Sequence, residues 1–225
     1  MGYRRTPFAP GEYYHCYTRG IDGRLTFQDN QDYERFQEAL YLCNDNRPFD
    51  RSDFLKLSHT EIFSRSRNHE LVAIGSYSLM PNHFHVAFQE IEENGSSKFL
   101  QKLGTAYTMY FNAKNLRVGG LFIGPCRSRH VGTDRYFRRV TQYIHLNTAE
   151  LFEKNWKTGK VGSMRNLEKR LAEYSFSSLP DYTKGHRPER AILHPEMIEL
   201  IKDGLPPLTA VLSEAREYYK SLDQV

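Results

Sequence analysis

The sequence predicts an α+β fold: a ferredoxin-like antiparallel sheet with helices on one face, followed by a C-terminal helical extension. Three observations carry this expectation. Strand-like and helix-like segments alternate in the order β-α-β-β-α-β before a further helix. Their hydrophobic periods switch between two and about 3.6 residues. The 225-residue chain, with 15 Tyr, 14 Phe and 1 Trp, has enough apolar volume for one medium domain with appendages.

The elements follow in order. Residues 13–19 alternate around aromatic and β-favouring side chains and read as a strand closed by the Gly20–Gly23 turn. Residues 32–43 place Tyr33, Phe36, Leu40 and Cys43 at helical spacing. Residues 45–70 are polar, with little periodicity, and read as an excursion. Two strands follow, 71–79 and 84–88, joined by a turn at Pro81-Asn82. A second helix spans 96–114, and a strand lies within 121–131, interrupted by Gly124-Pro125. Thr133 or Asp134 caps a third helix that runs through Asn147 or further, there being no proline at 148 to stop it. The expected organisation is a domain over residues 1–155 and an extension over 156–225 with two helices.

Composition narrows the function classes. Cys16, Cys43 and Cys126 stand singly, against a disulfide framework or a zinc knuckle. The N-terminus lacks the apolar stretch of a signal peptide, and no apolar run reaches membrane-spanning length, so a soluble, cytoplasmic protein is expected. The net charge of +4 is uneven: seven Lys/Arg stand between Lys114 and Val140 against the single acid Asp134. A basic stretch beside aromatics is the footprint of a nucleic-acid binder, and equally of a solvated helix face.

His83 and His85 are two apart in a predicted strand, so both imidazoles face one side of the sheet while Phe84 faces the other. Two convergent imidazoles suit Mn, Zn or Ni, and Mg less readily. Ala87 excludes a three-histidine strand, and His15 and His145 are further possible ligands, though each taken alone reads rather as a surface or core histidine. On the third helix, Tyr136, Val140, Tyr143 and Asn147 form one stripe, with Phe137 and Ile144 beside it for packing on the sheet. Tyr143 and Asn147 are therefore neighbours one turn apart. A phenol, with an ordinary pKa of about 10, attacks phosphorus poorly unless cations favour phenolate.

MPNHFHVAF at 80–88 together with YIHLN at 143–147 resembles the HUH single-tyrosine transposases, most of all the REP-associated tyrosine transposases. YYHCYTRGIDGRLTF at 13–27 is similar to that family's first strand and turn, and YSFSSLPDY at 174–182 to its C-terminal serine-aromatic segment. The resemblance spans residues 13–182 and implies that His83 and His85 bind a divalent ion, Mg or Mn. It further implies that Asn147 is the third ligand and Tyr143 the nucleophile. The implied substrate is single-stranded or hairpin DNA, cleaved at hairpin-associated sites through a 5′-phosphotyrosine link and a free 3′-OH. Thr148 stands where the family usually has proline, and Gly124-Pro125 where it often has glycine-arginine. Arg127, Arg129, Arg138 and Arg139 are the expected phosphate contacts, and the protein is expected to act as a monomer or dimer. A catalytically silent DNA-binding protein and a replication or relaxation nickase are the alternatives.

Overall fold

The computed structural model describes residues 7–48, 57–157, 161–183, 185–202 and 206–222. Part of the polar excursion, residues 49–56, lies outside them. Four antiparallel strands, β1 (Tyr13–Arg19), β2 (Val72–Met80), β3 (His83–Glu90) and β4 (Arg127–Val131), form one sheet in the order β2-β3-β1-β4. Helices α1 (Asn30–Leu42) and α3 (Gly95–Lys114) join them in the expected ferredoxin-like sequence, and the short α2 (His59–Phe63) lies in the excursion.

Strand alternation divides the side chains cleanly. Tyr14 and Cys16 of β1 and Phe84, Val86 and Phe88 of β3 point to the face covered by α1 and α3, where they share a core with Phe36, Leu40, Phe99 and Tyr107. Phe84 packs on Phe36 with ring centroids 4.7 Å apart. The opposite face carries Ala73, Ala87 and Val131 and receives α4 (Asp134–Asn147) through Phe137, Val140 and Ile144. The α1/α3 pair thus shares one face as expected, and α4 with the extension covers part of the other.

A bulge between Ile74 and Ser76 lets α4 approach this second face closely. Gly75 sits there, and a Cβ on it would meet the Phe137 ring at 2.8 Å. Thr133 caps α4 by accepting from Tyr136 N, and the helix ends at Asn147. A 3-10 turn over Thr148–Leu151 follows, with the Thr148 hydroxyl donating to the His145 carbonyl. The chain thus tightens here without a proline.

Within the expected 121–131, strand β4 occupies Arg127–Val131. Gly124, at φ 60°, and Pro125 break the ladder, leaving Phe122 in an isolated bridge to Gly20. The extension also departs from expectation: among the described residues it holds four α-helices rather than two. These are α5 (Met164–Glu173), α6 (Leu179–Thr183), α7 (Pro195–Lys202) and α8 (Leu208–Leu222). Helices of five and eight residues carry too few turns for a legible period. Main-chain bonds Leu79 N to Phe176 O, Ser178 N to Tyr77 O and His194 N to Ile74 O fasten this segment along β2. An otherwise open sheet edge is thereby covered.

Candidate functional site

Strand pairing brings together residues far apart in sequence. Tyr17 lies opposite His85 and Arg19 opposite His83 across the β1–β3 ladder, so these four share one face with His15. On the other side of β1, Arg129 lies opposite His15 and Arg127 opposite Tyr17. The face is therefore graded: histidines at its centre, tyrosine beside them, and exposed Arg19, Arg127 and Arg129 at its open flank.

The histidines form a connected set. His15 Nε2 and His85 Nδ1 are 2.9 Å apart, in hydrogen-bond contact. His83 Nδ1 lies 2.7 Å from Asn82 Oδ1, and because that oxygen only accepts, the ring nitrogen carries the proton. In both rings Nδ1 is engaged, and Nε2 is the nitrogen left for a ligand. The His83 and His85 rings lie 5.2 Å apart, centroid to centroid. Burial, followed by the Arg129 charge, pushes His15 down to about 4. Burial and Arg19 push His83 down to about 4. Burial, with the other two histidines and Arg19, pushes His85 down to about 2. All three rings are neutral at pH 7, as metal ligation requires.

Tyr143 reaches this cluster from α4. Its ring centroid is 5.9 Å from that of His85 and 6.0 Å from that of His15, in edge-on contact with both, while the side chain stays 44% exposed. Asn147, one turn on, is half-buried, and its Nδ2 is a buried donor without a hydrogen-bond partner among the described residues. Glu150, on the same stripe, acts electrostatically on His83 and pairs with Lys157. The stripe thus runs from His85 towards His83. A cleft of about 460 Å³ flanks it, lined among others by Tyr136, Arg139, Tyr143, Asn147 and Lys157. A larger cavity of about 870 Å³, lined by Gln142, His145, Lys169 and Tyr182, contains none of His83, His85 or Tyr143.

Two neutral imidazoles with oriented rings on one sheet face suit a divalent ion. Among the described residues no group of three or more His, Cys, Asp or Glu side chains is arranged to hold an ion. Further ligands would have to be of other kinds, such as a carboxamide, water or a phosphate oxygen.

The remaining expected residues fall differently. Arg139 is exposed beside the Tyr143 cleft. Arg138 turns to the extension, where its Nε donates to Leu200 O at 2.8 Å. His145 is a core residue: its Nε2 lies 2.8 Å from Ser178 Oγ, and burial holds it down to about 3. In the sequence His15 stands as a lone further possible ligand and Asn82 as a turn residue; in the structure both touch the histidine pair. An i, i+2 pair preceded by a carboxamide was the available signal for Asn82. His15 required the strand register.

No family model matches the sequence, and no curated protein matches it. Among solved structures the chain is similar to a REP-associated tyrosine transposase bound to a REP hairpin. The TM-score is 0.53, over 84% of this chain and 90% of that one, at 13% identity. At that identity the likeness is one of fold. Among the described residues no helix is long and apolar enough to cross a membrane.

Proposed function

We propose that this protein is a metal-dependent endonuclease and strand transferase for single-stranded, hairpin-associated DNA, working through a 5′-phosphotyrosine intermediate on Tyr143. The observation that carries the reading is the edge-on seat of Tyr143 against His85 and His15, on the sheet face that also presents Arg127 and Arg129. The fold shared with a hairpin-bound transposase supports it.

In this reading His83 and His85, through Nε2, and Asn147 would hold Mg or Mn, which would supply polarisation of a non-bridging phosphate oxygen and support for the leaving 3′ oxygen. The Tyr143 phenol oxygen attacks phosphorus in line, its proton passing to solvent. The bond from phosphorus to the 3′ oxygen breaks, that oxygen takes a proton from solvent, and the strand leaves with a free 3′-OH. The phosphodiester to Tyr143 conserves the bond energy, so a 3′-OH can attack it and rejoin the strand without ATP. Asn82 and His15 hold the two ligand rings in orientation. Arg127 and Arg129 meet phosphates on the open flank, with Arg139 by the tyrosine. Arg138 serves instead to dock the extension. Residues 1–155 form the catalytic unit, with 156–225 packed on it, in a cytoplasmic monomer or dimer.

The test is incubation with Mn and a labelled, hairpin-bearing oligonucleotide, followed by denaturing electrophoresis. The wild type is expected to give a slow, protein-linked band that Tyr143→Phe lacks. An undiminished band from the variant overturns the assignment, with Tyr136 the next residue to examine.

A further inference from the structure

Tyr17 stands on the histidine face of the sheet and takes no part in the chemistry assigned above. Its ring lies 5.6 Å from that of His85, centroid to centroid, with 27° between the planes, and 5.3 Å from that of His15. Tyr143 touches the same two histidines. Helix α4 meets the sheet over β2, where Thr141 Oγ1 lies 3.2 Å from Ser76 Oγ, so Tyr143 comes to the histidines from that side. Tyr17 borders them on the other, because β1 lies between β3 and β4. The ring is half-buried, backed by the histidines and open towards β4.

Three guanidinium groups surround that ring. Arg127 is its partner across the β1–β4 ladder, Arg129 stands opposite His15, and Arg19 lies two residues along β1. Such neighbours have Cα atoms about 5 Å away across the strands and about 7 Å away along them. All three are exposed, and among the described residues none is held by a hydrogen bond or an ion pair. Acids at the margin of the face each meet another group: Glu12 meets His130, Asp22 Arg24, Glu150 Lys157 and Asp134 Tyr13. A ligand that answers this arrangement needs a flat π-face and negative charges one residue's reach away from it. An unpaired nucleotide has both, since its base stacks on an aromatic ring while backbone phosphates meet guanidinium groups. Bases within a duplex are already stacked and are costly to extract, so the arrangement selects a single strand.

We propose that Tyr17 is a positioning residue on which one unpaired DNA base stacks, beside the phosphate that Tyr143 attacks, with adjoining phosphates on Arg19, Arg127 and Arg129. The inference rests on the DNA reading above and names the residue that seats the strand. Affinity is measured in EDTA, where no cleavage occurs, for two hairpins with the same stem. One carries an unpaired arm of thymidines and the other an arm of abasic residues, which keeps the phosphates and removes the bases. Wild type and Tyr17→Phe are expected to bind the thymidine arm about tenfold more tightly than the abasic arm. Tyr17→Ala is expected to lose that preference and to keep the wild-type affinity for the abasic arm, which also shows that its fold is intact. Arg127→Gln is expected to weaken both arms alike. A thymidine preference that persists in Tyr17→Ala overturns the proposal, as does a wild type with no preference. Equal loss on both arms in Tyr17→Ala overturns it too and makes the ring a structural support of His85. No loss on either arm in Arg127→Gln overturns the phosphate half. Because these affinities are read without metal, a missing Tyr143 adduct beside an intact base preference strikes the catalytic reading alone.

Discussion

Asn82 holds His83 by one hydrogen bond, and that bond decides which ring nitrogen faces outward. Replacing a group that orients a ligand usually costs about 10–100-fold in metal affinity. Asn82→Ala is therefore expected to weaken Mn binding by about that factor, read by titration, with little change in unfolding midpoint. Asn82→Asp, which keeps an acceptor, is expected to restore it. Equal Mn affinity in wild type and Asn82→Ala would remove Asn82 from the account. The sequence made His83 and His85 visible because a strand period is local: two residues apart means one face. It did not reveal that His15 bonds to His85, 70 residues away, because register is set by packing across the whole sheet. For the same reason Arg138 read as a phosphate contact, whereas its guanidinium is engaged by a helix more than 60 residues downstream.

At the scale of elements, α4 lies flat enough for Tyr143 to reach the histidines because β2 bulges at Gly75. An added methyl there would press on the Phe137 ring, which is fully buried and has no room to give. Gly75→Ala is expected to cost about 1–3 kcal/mol in urea unfolding and to reduce any Tyr143-dependent activity with it. A stability change near zero would mean that α4 does not depend on this contact. The helix itself was legible, with its start open between Thr133 and Asp134 and its end open beyond Asn147, since its cap and apolar stripe are encoded within consecutive positions. The bulge was not, because a glycine in a strand reads the same whether it bends or merely interrupts. The extension is braced by Arg187, which donates to both Asp181 oxygens at 2.7 Å and to the Ser177 carbonyl, with Asp181 fully buried, and is tied to β2 by its donation to the Tyr77 hydroxyl at 3.1 Å. Arg187→Met leaves that carboxylate unpaired and is expected to destabilise the fold by about 3–5 kcal/mol. An unchanged unfolding midpoint would show that the segment along β2 is held by other contacts.

For the molecule as a whole, the excursion and the extension are joined by His59, which lies between Glu38 of α1 and Glu189, at 2.9 and 3.1 Å. Burial opposes the charge on His59, but the two carboxylates outweigh it and raise its pKa from 6.5 to about 9. The folded state thus holds a proton more tightly than the unfolded chain. Its contribution is complete below about pH 6.5 and is lost as the pH rises towards 9. Wild-type stability is expected to fall by roughly 1–2 kcal/mol relative to His59→Gln over that range. Parallel pH profiles for the two proteins would exclude this bridge as a source of stability. The sheet order, the histidine face and the helix that crosses it all follow from local patterns combined in the expected topology. The excursion and the tail did not, because their short helices are stabilised by partners distant in sequence.

The most direct test of the central claim is peptide mapping of the covalent DNA adduct. Trypsin cleaves after Arg135, Arg138, Arg139 and Lys154, so Tyr136 and Tyr143 fall on different peptides. The nucleotide mass is expected on the peptide from Val140 to Lys154, at Tyr143. Its appearance on the Tyr136 peptide, or DNA cleavage with no protein-linked product, would contradict the account.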